Sequence, residues 1–561
     1  MPDDSGPLLL GPLLRYAGPT SATVWVQSRD HSRVTVRAFG REWSATTFGV
    51  HGHHYALVVL GGLEPGASSD YTVDIDGEQV WPPADPAYAR FPASRVTTLD
   101  PHEPSRIAFG SCRTSVSHDA AGNASNGVDA LRAYALELSR TDPQRWPHLV
   151  AFLGDQVYAD MTSDEMQDFI RARRDPSQPP WLELKDYQEY AHLYRLAWTE
   201  PANRWLLSTL PSTMIFDDHD IRDDWNTSQQ WHREMNAKPW WHERIVGGLA
   251  SYWVYQHAGN LSPEELATDE IWQAIAAHAG SGAEDEIDLT ETLDAFAERV
   301  DRRPDTYRWS YTRDLGESRL VVVDSRAARV LEPSRRSILD DAEMEWLDEQ
   351  LQGGVEHLFV GTSLPFLISP GLHDFEAMNE AMASGAWGPW LARHAEGLRR
   401  TVDLEHWAAF QEGFAQVLEM VAAVARGERG RAPGTVTFLS GDVHHSFVTE
   451  VDPKVLGPGA SRVVQAVCSP IRNPMPRGIR IMTALMARGL VRPMRFLAGR
   501  SSKVPDPAYP WRVTHGPWYE NCLATLHVRG RGLVITWEAG EVSGDHHDQP
   551  ELRRVARVAI S

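Results

Sequence analysis

Short apolar runs of strand length recur along the chain, and stretches with helical periodicity separate them. The clearest runs lie at residues 106–109, 149–153, 214–216, 320–323, 358–361 and 436–439. An apolar run of this length, bounded by turn residues, is typical of a buried strand. Strands that alternate with helices predict an α/β domain with a parallel or mixed sheet.

The N-terminal part shows a different pattern, in which apolar and polar residues alternate. Residues 23–26 and 34–37 alternate as half-buried strands do. The turn at residues 63–66, followed by Tyr71, resembles the tyrosine corner of immunoglobulin-like and fibronectin-like domains. We predict an all-β, immunoglobulin- or fibronectin-like sandwich over residues 1–97, a linker over 98–105, and an α/β domain over 106–561 with a helical insertion at about 225–303.

Side chains that can bind metal ions follow four of the predicted strands directly. The four motifs are Gly110-Ser111-Cys112, Gly154-Asp155-Gln156-Val157-Tyr158, Asp217-Asp218-His219-Asp220 and Gly441-Asp442-Val443-His444. Residues that follow neighbouring strands of an open α/β sheet meet at one edge of that sheet. Thiolate, carboxylate, phenolate and imidazole groups together form a donor set that suits a centre with more than one metal ion.

These four motifs, in this order, resemble the alkaline phosphatase D (PhoD-like) family of the calcineurin-like metallophosphoesterase superfamily. The resemblance covers residues 110–450 approximately, and the β-rich N-terminal segment also matches the family's layout. It implies an α/β metallophosphoesterase core, a β-sheet sandwich flanked by helices. It also implies that the protein hydrolyses small-molecule phosphate esters, as a phosphomonoesterase, a phosphodiesterase or both, through a metal-activated hydroxide.

The resemblance assigns Cys112, Asp155, Tyr158 and His444 to a site for Fe(III). Asp155 would bridge this ion to a second one, because a carboxylate has two oxygens and two ions can then share a phosphate group. A second reading of Cys112 is a nucleophilic thiol with Arg113 as a phosphate clamp. Cysteine phosphatases need an arginine several residues after the cysteine, so the adjacent Arg113 disfavours that reading.

The resemblance assigns Asp218 and Asp442 to a site for Ca(II), and Asp224 to a second calcium. Most relatives in the superfamily carry histidine where this chain has Asp442, and a carboxylate at that position favours a harder cation. A dinuclear site with zinc, manganese or magnesium is the alternative to iron and calcium.

Two residues have predicted catalytic roles rather than metal-binding ones. His219 stands where the superfamily carries a histidine that contacts substrate, so it would stabilise the phosphoryl group or protonate the leaving oxygen. Asp220 could orient His219. Arg113 would stabilise charge on the transferred group.

The acidic composition bears on possible partners. With 54 Lys and Arg against 76 Asp and Glu, the net charge is −22, which argues against nucleic acid as a partner. We expect no transmembrane segment, since the apolar runs fall far short of about 18–20 residues. The N-terminus shows neither a signal peptide nor a twin-arginine pair, so we expect a cytoplasmic protein.

Several further residues allow both a structural and a functional interpretation. The aromatic residues of segment 225–255 are expected mostly to pack helices on the sheet, with Trp225 as the best candidate for a pocket wall. The histidines at 51–54 are expected in an exposed loop, and Arg326 and Arg329 in structural ion pairs. For the whole protein, the alternative to an enzyme is a non-catalytic metal- or partner-binding protein on a metallophosphoesterase scaffold.

Overall fold

The protein is described here by a computed structural model that covers residues 6–282, 285–333, 335–476, 478, 480, 485, 491–499, 504 and 506–560. The N-terminal strands are β1 (Leu8–Ala17), β2 (Ser21–Ser28), β3 (Arg33–Ala38), β4 (Arg41–Thr46), β5 (Phe48–Val50), β6 (His53–Gly61), β7 (Ser68–Asp70), β8 (Thr72–Ile75), β9 (Glu78–Trp81) and β10 (Arg95–Thr97).

The N-terminal strands form an all-β domain, as the alternating pattern predicts. One sheet has the order β1-β2-β6-β5 and a second has the order β4-β3-β8-β9. An apolar core that includes Leu14, Val24, Val36 and Val58 lies between them. The alternation follows from this arrangement, because one face of each sheet meets that core.

Tyr71 does not make the hydrogen bond that defines a tyrosine corner. Its hydroxyl donates to the backbone oxygen of Ser208 at 2.6 Å, in the following domain. The tyrosine of such a corner bonds to backbone a few residues upstream instead. Tyr71 therefore joins two domains, and the immunoglobulin-like assignment stays a prediction.

The other face of the β1-β2-β6 sheet packs on the second domain. The ring of Trp25 lies 5.3 Å from that of Tyr255, and the Tyr55 hydroxyl is 2.9 Å from the Tyr255 hydroxyl. The buried Arg15 donates to the Tyr255 backbone oxygen at 2.7 Å. The N-terminal domain therefore shares a continuous core with the second domain.

The histidines predicted to lie in an exposed loop instead join the N-terminal domain to the helical segment. His51 Nε2 lies 2.9 Å from an Asp294 oxygen, and His54 Nδ1 lies 2.7 Å from a Glu286 oxygen. The short strand at Ile287–Asp288 also pairs in parallel with β5. These contacts explain why polar histidines occupy this position.

The second domain contains the remaining strands and the α-helices. The strands are β11 (Arg106–Gly110), β12 (Leu149–Leu153), β13 (Ser212–Ile215), β14 (Ile287–Asp288), β15 (Tyr311–Leu315), β16 (Ser318–Val323), β17 (His357–Thr362), β18 (Thr435–Ser440), β19 (Ser446–Val451), β20 (Arg462–Val467), β21 (Trp511–Trp518), β22 (Cys522–Arg529), β23 (Gly532–Glu541) and β24 (Glu551–Ile560). The helices are α1 (Ala120–Asn126), α2 (Ala130–Leu138), α3 (Asp164–Arg173), α4 (Tyr187–Trp198), α5 (Pro201–Thr209), α6 (Gln229–Asn236), α7 (Trp241–Tyr252), α8 (Pro263–Leu266), α9 (Glu270–Gly280), α10 (Thr290–Arg302), α11 (Asp341–Gln350), α12 (Pro370–Ala383), α13 (Pro389–Thr401), α14 (Gln411–Ala425), α15 (Pro453–Leu456) and α16 (Val491–Ala498).

Two mixed sheets form the centre of the second domain. One has the order β13-β12-β11-β22-β23-β24, and the other has the order β15-β16-β17-β18-β20-β19-β21. A single apolar core contains Phe109 and Phe152 from the first sheet with Phe359 and Leu439 from the second. A further core, with Leu347 of α11 and Val421 of α14, covers the second sheet. The result is a β-sandwich flanked by helices.

Parallel strands from both sheets end at the motif residues: β11, β12 and β13 in the first sheet and β18 in the second. Strands β11, β12 and β13 are parallel, and so are β16, β17, β18 and β20. Helices α6 to α10 and the strand β14 occupy the segment predicted as a helical insertion. Within the part of the chain that the structure describes, none of the helices is long and apolar enough to cross a membrane.

Candidate metal centre

Five of the predicted ligands share an uncommon backbone conformation. Cys112, Asp155, Asp224, Asp442 and His444 all have positive φ angles, between 47° and 66°. A side chain other than glycine rarely adopts this left-handed region, and residues that do so cluster at functional sites. The turns after β11, β12 and β18 and the segment after β13 therefore accept strain in order to aim these side chains.

Cys112, Asp155 and His444 meet at one point. Their ligand atoms lie within 4.8 Å of one another. Tyr158 adds its hydroxyl, which lies 3.4 Å from Asp155 Oδ2. The backbone N–H of Cys112 donates to the Gly154 oxygen at 3.3 Å, so the turns after β11 and β12 hold each other in place. The structure thus assembles the four side chains that were predicted to share one ion.

A second group consists of Asp217, Asp218 and Asp442, whose ligand atoms also lie within 4.8 Å of one another. Asp217 was part of a predicted motif but was not singled out as a ligand. The guanidinium of Arg326 sits beside this group, bonded to Asp217 and 3.2 Å from Asp218. This buried cation offsets part of the negative charge, and its role as an ion-pair partner agrees with the sequence prediction.

Asp224 borders the second group. Its backbone N–H donates to Asp218 Oδ2 at 3.0 Å. Burial and the neighbouring carboxylates of Glu405 and Asp223 raise the pKa of Asp224 to about 8. Carboxylates that repel each other this strongly favour a bound cation or a proton.

Three of these carboxylates have an oxygen that lacks a partner. Asp155 Oδ1, Asp217 Oδ2 and Asp224 Oδ1 are buried and accept no hydrogen bond from any residue that the structure describes. Buried polar atoms are almost always satisfied, and an ion is one way to satisfy them. The residues present therefore fit metal ions in both groups.

The nitrogen donor His444 and the sulfur donor Cys112 can also take the protonation states that metal binding requires. Burial lowers the pKa of His444 to about 4, so its imidazole is neutral near pH 7 and has a lone pair for an ion. Burial and the charges of Asp155 and Asp442 raise the pKa of the Cys112 thiol well above its usual range. A metal cation reverses that effect and deprotonates a coordinating thiol.

His219 lies at the edge of both groups and is held by a carboxylate from another turn. Its Nδ1 is 2.9 Å from Asp160 Oδ1, and its ring lies 4.7 Å from that of Tyr158. Burial lowers the pKa of His219, but the charges of Asp160 and Asp218 outweigh it and raise the pKa well above its usual value. The imidazole is therefore positioned and charged next to the carboxylates of both groups.

Comparison with known proteins agrees with this geometry. A family profile described as PhoD-like phosphatase matches residues 133–484. The chain belongs to the PhoD-like phosphatase family. A profile described as a domain of unknown function, DUF7800, matches residues 5–96, which are the N-terminal all-β domain.

The solved structure of a PhoD protein has the same fold. The structure titled "Structure of PhoD" superposes with a TM-score of 0.56 at 13% sequence identity, covering 99% of this chain and 94% of that one. A maltogenic amylase from S. marinus, with a TM-score of 0.14, 9% identity and coverage of 99% and 82%, is too dissimilar to support any argument. No curated protein matches the chain in sequence.

Two predicted roles do not fit this PhoD-like site. The Arg113 guanidinium donates twice to Asp129 Oδ2, at 2.8 and 3.1 Å, and once to the Ala197 backbone oxygen. Its side chain is only 4% exposed, so Arg113 forms a structural ion pair and does not face a phosphoryl group. Asp220 does not orient His219 either. It accepts from the Asp217 backbone N–H at 2.9 Å and from Gln256, and it shapes the turn.

The prediction that Trp225 is a candidate for a pocket wall also changes. Trp225 is 1% exposed and its ring meets that of Phe216 edge-on at 5.2 Å, so it packs in the core. The Nδ1–H of His445 donates to the Val443 backbone oxygen at 2.6 Å and the ring stacks on Phe447, which is a structural position.

Sequence reasoning missed the residues that surround the PhoD-like motifs. His406 Nε2 lies 3.1 Å from Asp442 Oδ2, and its Nδ1 lies 2.7 Å from Glu376. Burial raises the pKa of Asp442, but the hydrogen bond and charge of His406 outweigh it and lower the pKa to about 2. Glu405 pairs with Arg326 at 2.5 Å. The cluster of acids and histidine at residues 403–406 was a visible signal, but it follows a helix rather than a strand.

Proposed function

We propose that this PhoD-like protein hydrolyses phosphate mono- or diesters with metal ions held by the two groups. The observation that supports this best is the pair of groups, Cys112-Asp155-His444 and Asp217-Asp218-Asp442, within each of which the ligand atoms lie within 4.8 Å of one another. In each group a carboxylate oxygen, of Asp155 or of Asp217, is buried and has no hydrogen-bond partner among the described residues. Such an oxygen costs stability, and a cation bound by the surrounding ligand atoms is the best explanation for it.

The donor types suggest which ions bind. Cys112, Asp155, Tyr158 and His444 combine soft sulfur, phenolate and imidazole donors, a set that suits Fe(III). Asp218 and Asp442, joined by Asp217 and Asp224, offer carboxylate oxygens alone, a set that suits Ca(II). When bound, such ions polarise the phosphate oxygens and lower the pKa of a water molecule.

His219 would assist the reaction from the side of the leaving group. Its Nδ1 is occupied by Asp160, so Nε2 is the atom that can donate a proton or a hydrogen bond to a phosphate ester. Such donation stabilises charge that develops as the ester bond breaks. The buried pair of His219 and Asp160 fixes the ring orientation that this donation requires.

The test is elemental analysis with a visible spectrum, beside assays with p-nitrophenyl phosphate and bis-p-nitrophenyl phosphate. We expect iron and calcium, a visible iron–phenolate band, and turnover of at least one ester. Asp155→Asn should lose metal and about 1,000-fold or more in kcat/KM, since it removes a shared ligand. Cys112→Ser should shift or abolish the band. Cys522→Ser, a buried thiol outside both groups, serves as the matched control.

Each other outcome has a defined meaning. A colourless enzyme that is active with zinc, manganese or magnesium would retain phosphoester hydrolysis and exclude the iron site. A protein that binds metal but turns over neither ester in any of these metals would contradict the enzymatic proposal and favour a binding protein.

A further inference from the structure

A cavity of about 530 Å³ adjoins the candidate metal centre. Its walls come from the turn after β12, from the start of α3, from the segment before α4 and from the loop that follows β20. Its lining includes Asp160, Met161, Trp181, Glu183 and Asn473. None of these residues belongs to the two metal-binding groups.

Two of the lining residues connect the cavity to the reacting side of the centre. Asp160 holds His219 through its contact of 2.9 Å with Nδ1. The Asn473 side chain lies near the hydroxyl of Tyr158. A phosphate ester bound at the metal centre would therefore have this cavity beside its leaving group, on the side where His219 stands.

Trp181 is exposed in a way that packing does not explain. Trp181 is 50% exposed and the neighbouring Met161 is 57% exposed, although most large apolar residues of this protein are buried. Trp181 also has a φ of 58°, an unfavourable conformation for a bulky residue. Strained residues cluster at ligand-binding positions.

A buried ion pair holds the Trp181 backbone in this conformation. Arg174 Nη1 donates to the Trp181 backbone oxygen at 2.6 Å, and Arg174 Nε donates to Glu189 at 2.8 Å. Glu189 is fully buried. The scaffold therefore presents an indole ring to solvent from a rigid support, as binding sites for flat groups do.

The charge of the cavity restricts what it can accept. The lining residues include no lysine and no arginine in the part of the chain that the structure describes. Its two carboxylates are already paired, Asp160 with His219 and Glu183 with Arg222. Among these described lining residues a second phosphate or another anion would find no lysine or arginine, whereas an uncharged ring could stack on Trp181.

We propose that Trp181 and Met161 form a leaving-group subsite that selects phosphate esters of uncharged, planar aromatic alcohols. This inference rests on the proposed hydrolysis of phosphate esters at the adjoining centre. Trp181 would act as a specificity-determining residue that contacts the substrate and takes no part in bond breaking. The ring would lie against the indole while the ester oxygen faces His219.

The test compares 1-naphthyl phosphate with ethyl phosphate in the metal-loaded protein. Trp181→Ala should lower kcat/KM for 1-naphthyl phosphate about 10- to 100-fold, the range that loss of one stacking contact gives. The value for ethyl phosphate should stay within about 2-fold. Trp181→Phe should retain most of the preference. Trp390→Ala removes another exposed tryptophan, outside this cavity, and should change neither value.

Equal losses for both esters, or no loss for either, would overturn the subsite. If Trp181→Ala does not fold, Met161→Ala gives the same comparison with a smaller expected loss. Binding of 1-naphthyl methylphosphonate, measured by calorimetry, tests the subsite independently of the proposed hydrolysis, because binding needs no turnover. Weaker binding to Trp181→Ala than to the parent would support the subsite even in an inactive protein, and equal or absent binding would refute it.

Discussion

His219 and Asp160 show how much a single contact decides at this site. The two residues come from the turns after β13 and β12, and their side chains meet at 2.9 Å. A carboxylate bonded to one ring nitrogen fixes the orientation of the imidazole and directs the other nitrogen outward. Asp160 is thus a positioning residue, and His219 the group that would contact the substrate.

We expect Asp160→Asn to lower kcat by about 10- to 100-fold, with little change in KM or metal content, since partners that orient a functional side chain contribute about this much. Steady-state kinetics with p-nitrophenyl phosphate and elemental analysis on the same sample measure both quantities. Asp168→Asn is the matched control, because Asp168 is 77% exposed on α3 and pairs with Arg171. Loss of metal from Asp160→Asn would show that Asp160 supports the centre itself rather than His219.

At the scale of elements, the centre depends on how closely three turns approach one another. The Asp442 backbone N–H donates to Ser111 Oγ at 3.2 Å, which ties the turn after β18 to the turn after β11. Gly441 lies at this contact, and a Cβ placed on it would come within 1.8 Å of Ser111 Oγ. No side chain fits there without separating Cys112 from Asp442.

We therefore expect Gly441→Ala to lose most of the bound metal and at least about 100-fold in kcat/KM, because small displacements of binding groups are costly. Elemental analysis and the ester assay measure the effect. Gly61→Ala is a suitable control, since nothing lies within 4 Å of the added Cβ. An active, metal-loaded Gly441→Ala would mean that the two turns can move apart without harm to the centre.

At the scale of the whole molecule, the buried cores contain histidines whose pKa is lowered so far that they are neutral near pH 7. His257 packs edge-on against Trp309 at 4.9 Å, in the core that the two domains share. Burial and the charges of Arg15 and Arg313 lower its pKa to about 3. Burial and Arg495 likewise lower the pKa of His373 to about 3.

These pKa values predict a loss of stability in mild acid. An unfolded histidine titrates near 6.5, so between about pH 6.5 and 3 the unfolded chain binds more protons at His257 than the folded chain does. The free energy of unfolding should fall as pH decreases through this window, by about 1.4 kcal/mol per pH unit for each such histidine.

The variant His257→Phe should flatten this dependence. We expect the difference in unfolding free energy between pH 7.5 and 5 to be about 2 kcal/mol smaller than in the parent, measured by urea unfolding at each pH. His515→Asn, at an exposed position, should leave the difference unchanged. The same pH dependence in His257→Phe and the parent would show that other groups cause the acid sensitivity.

The sequence by itself determined the strands, the motifs that follow them and the family. Each of these is a local property, because an apolar run and the polar residues after it lie together in the chain whatever the tertiary fold. The all-β character of the N-terminal domain was predictable for the same reason. Cys112, Asp155, Tyr158, Asp442 and His444 could be proposed together because neighbouring parallel strands end at one edge.

Only the tertiary structure decided which side chains face the centre. Arg113 follows Cys112 directly but turns to Asp129, whereas Asp160 reaches His219 from another turn. Trp225 lies beside the motif acids in sequence and is buried, whereas Trp181 lies before α4 and opens onto the cavity. The physical reason is that the direction of a side chain and the packing of elements far apart in sequence determine which group that side chain contacts. A one-dimensional pattern shows which face of an element is apolar, and it does not show what that face or its ends will meet.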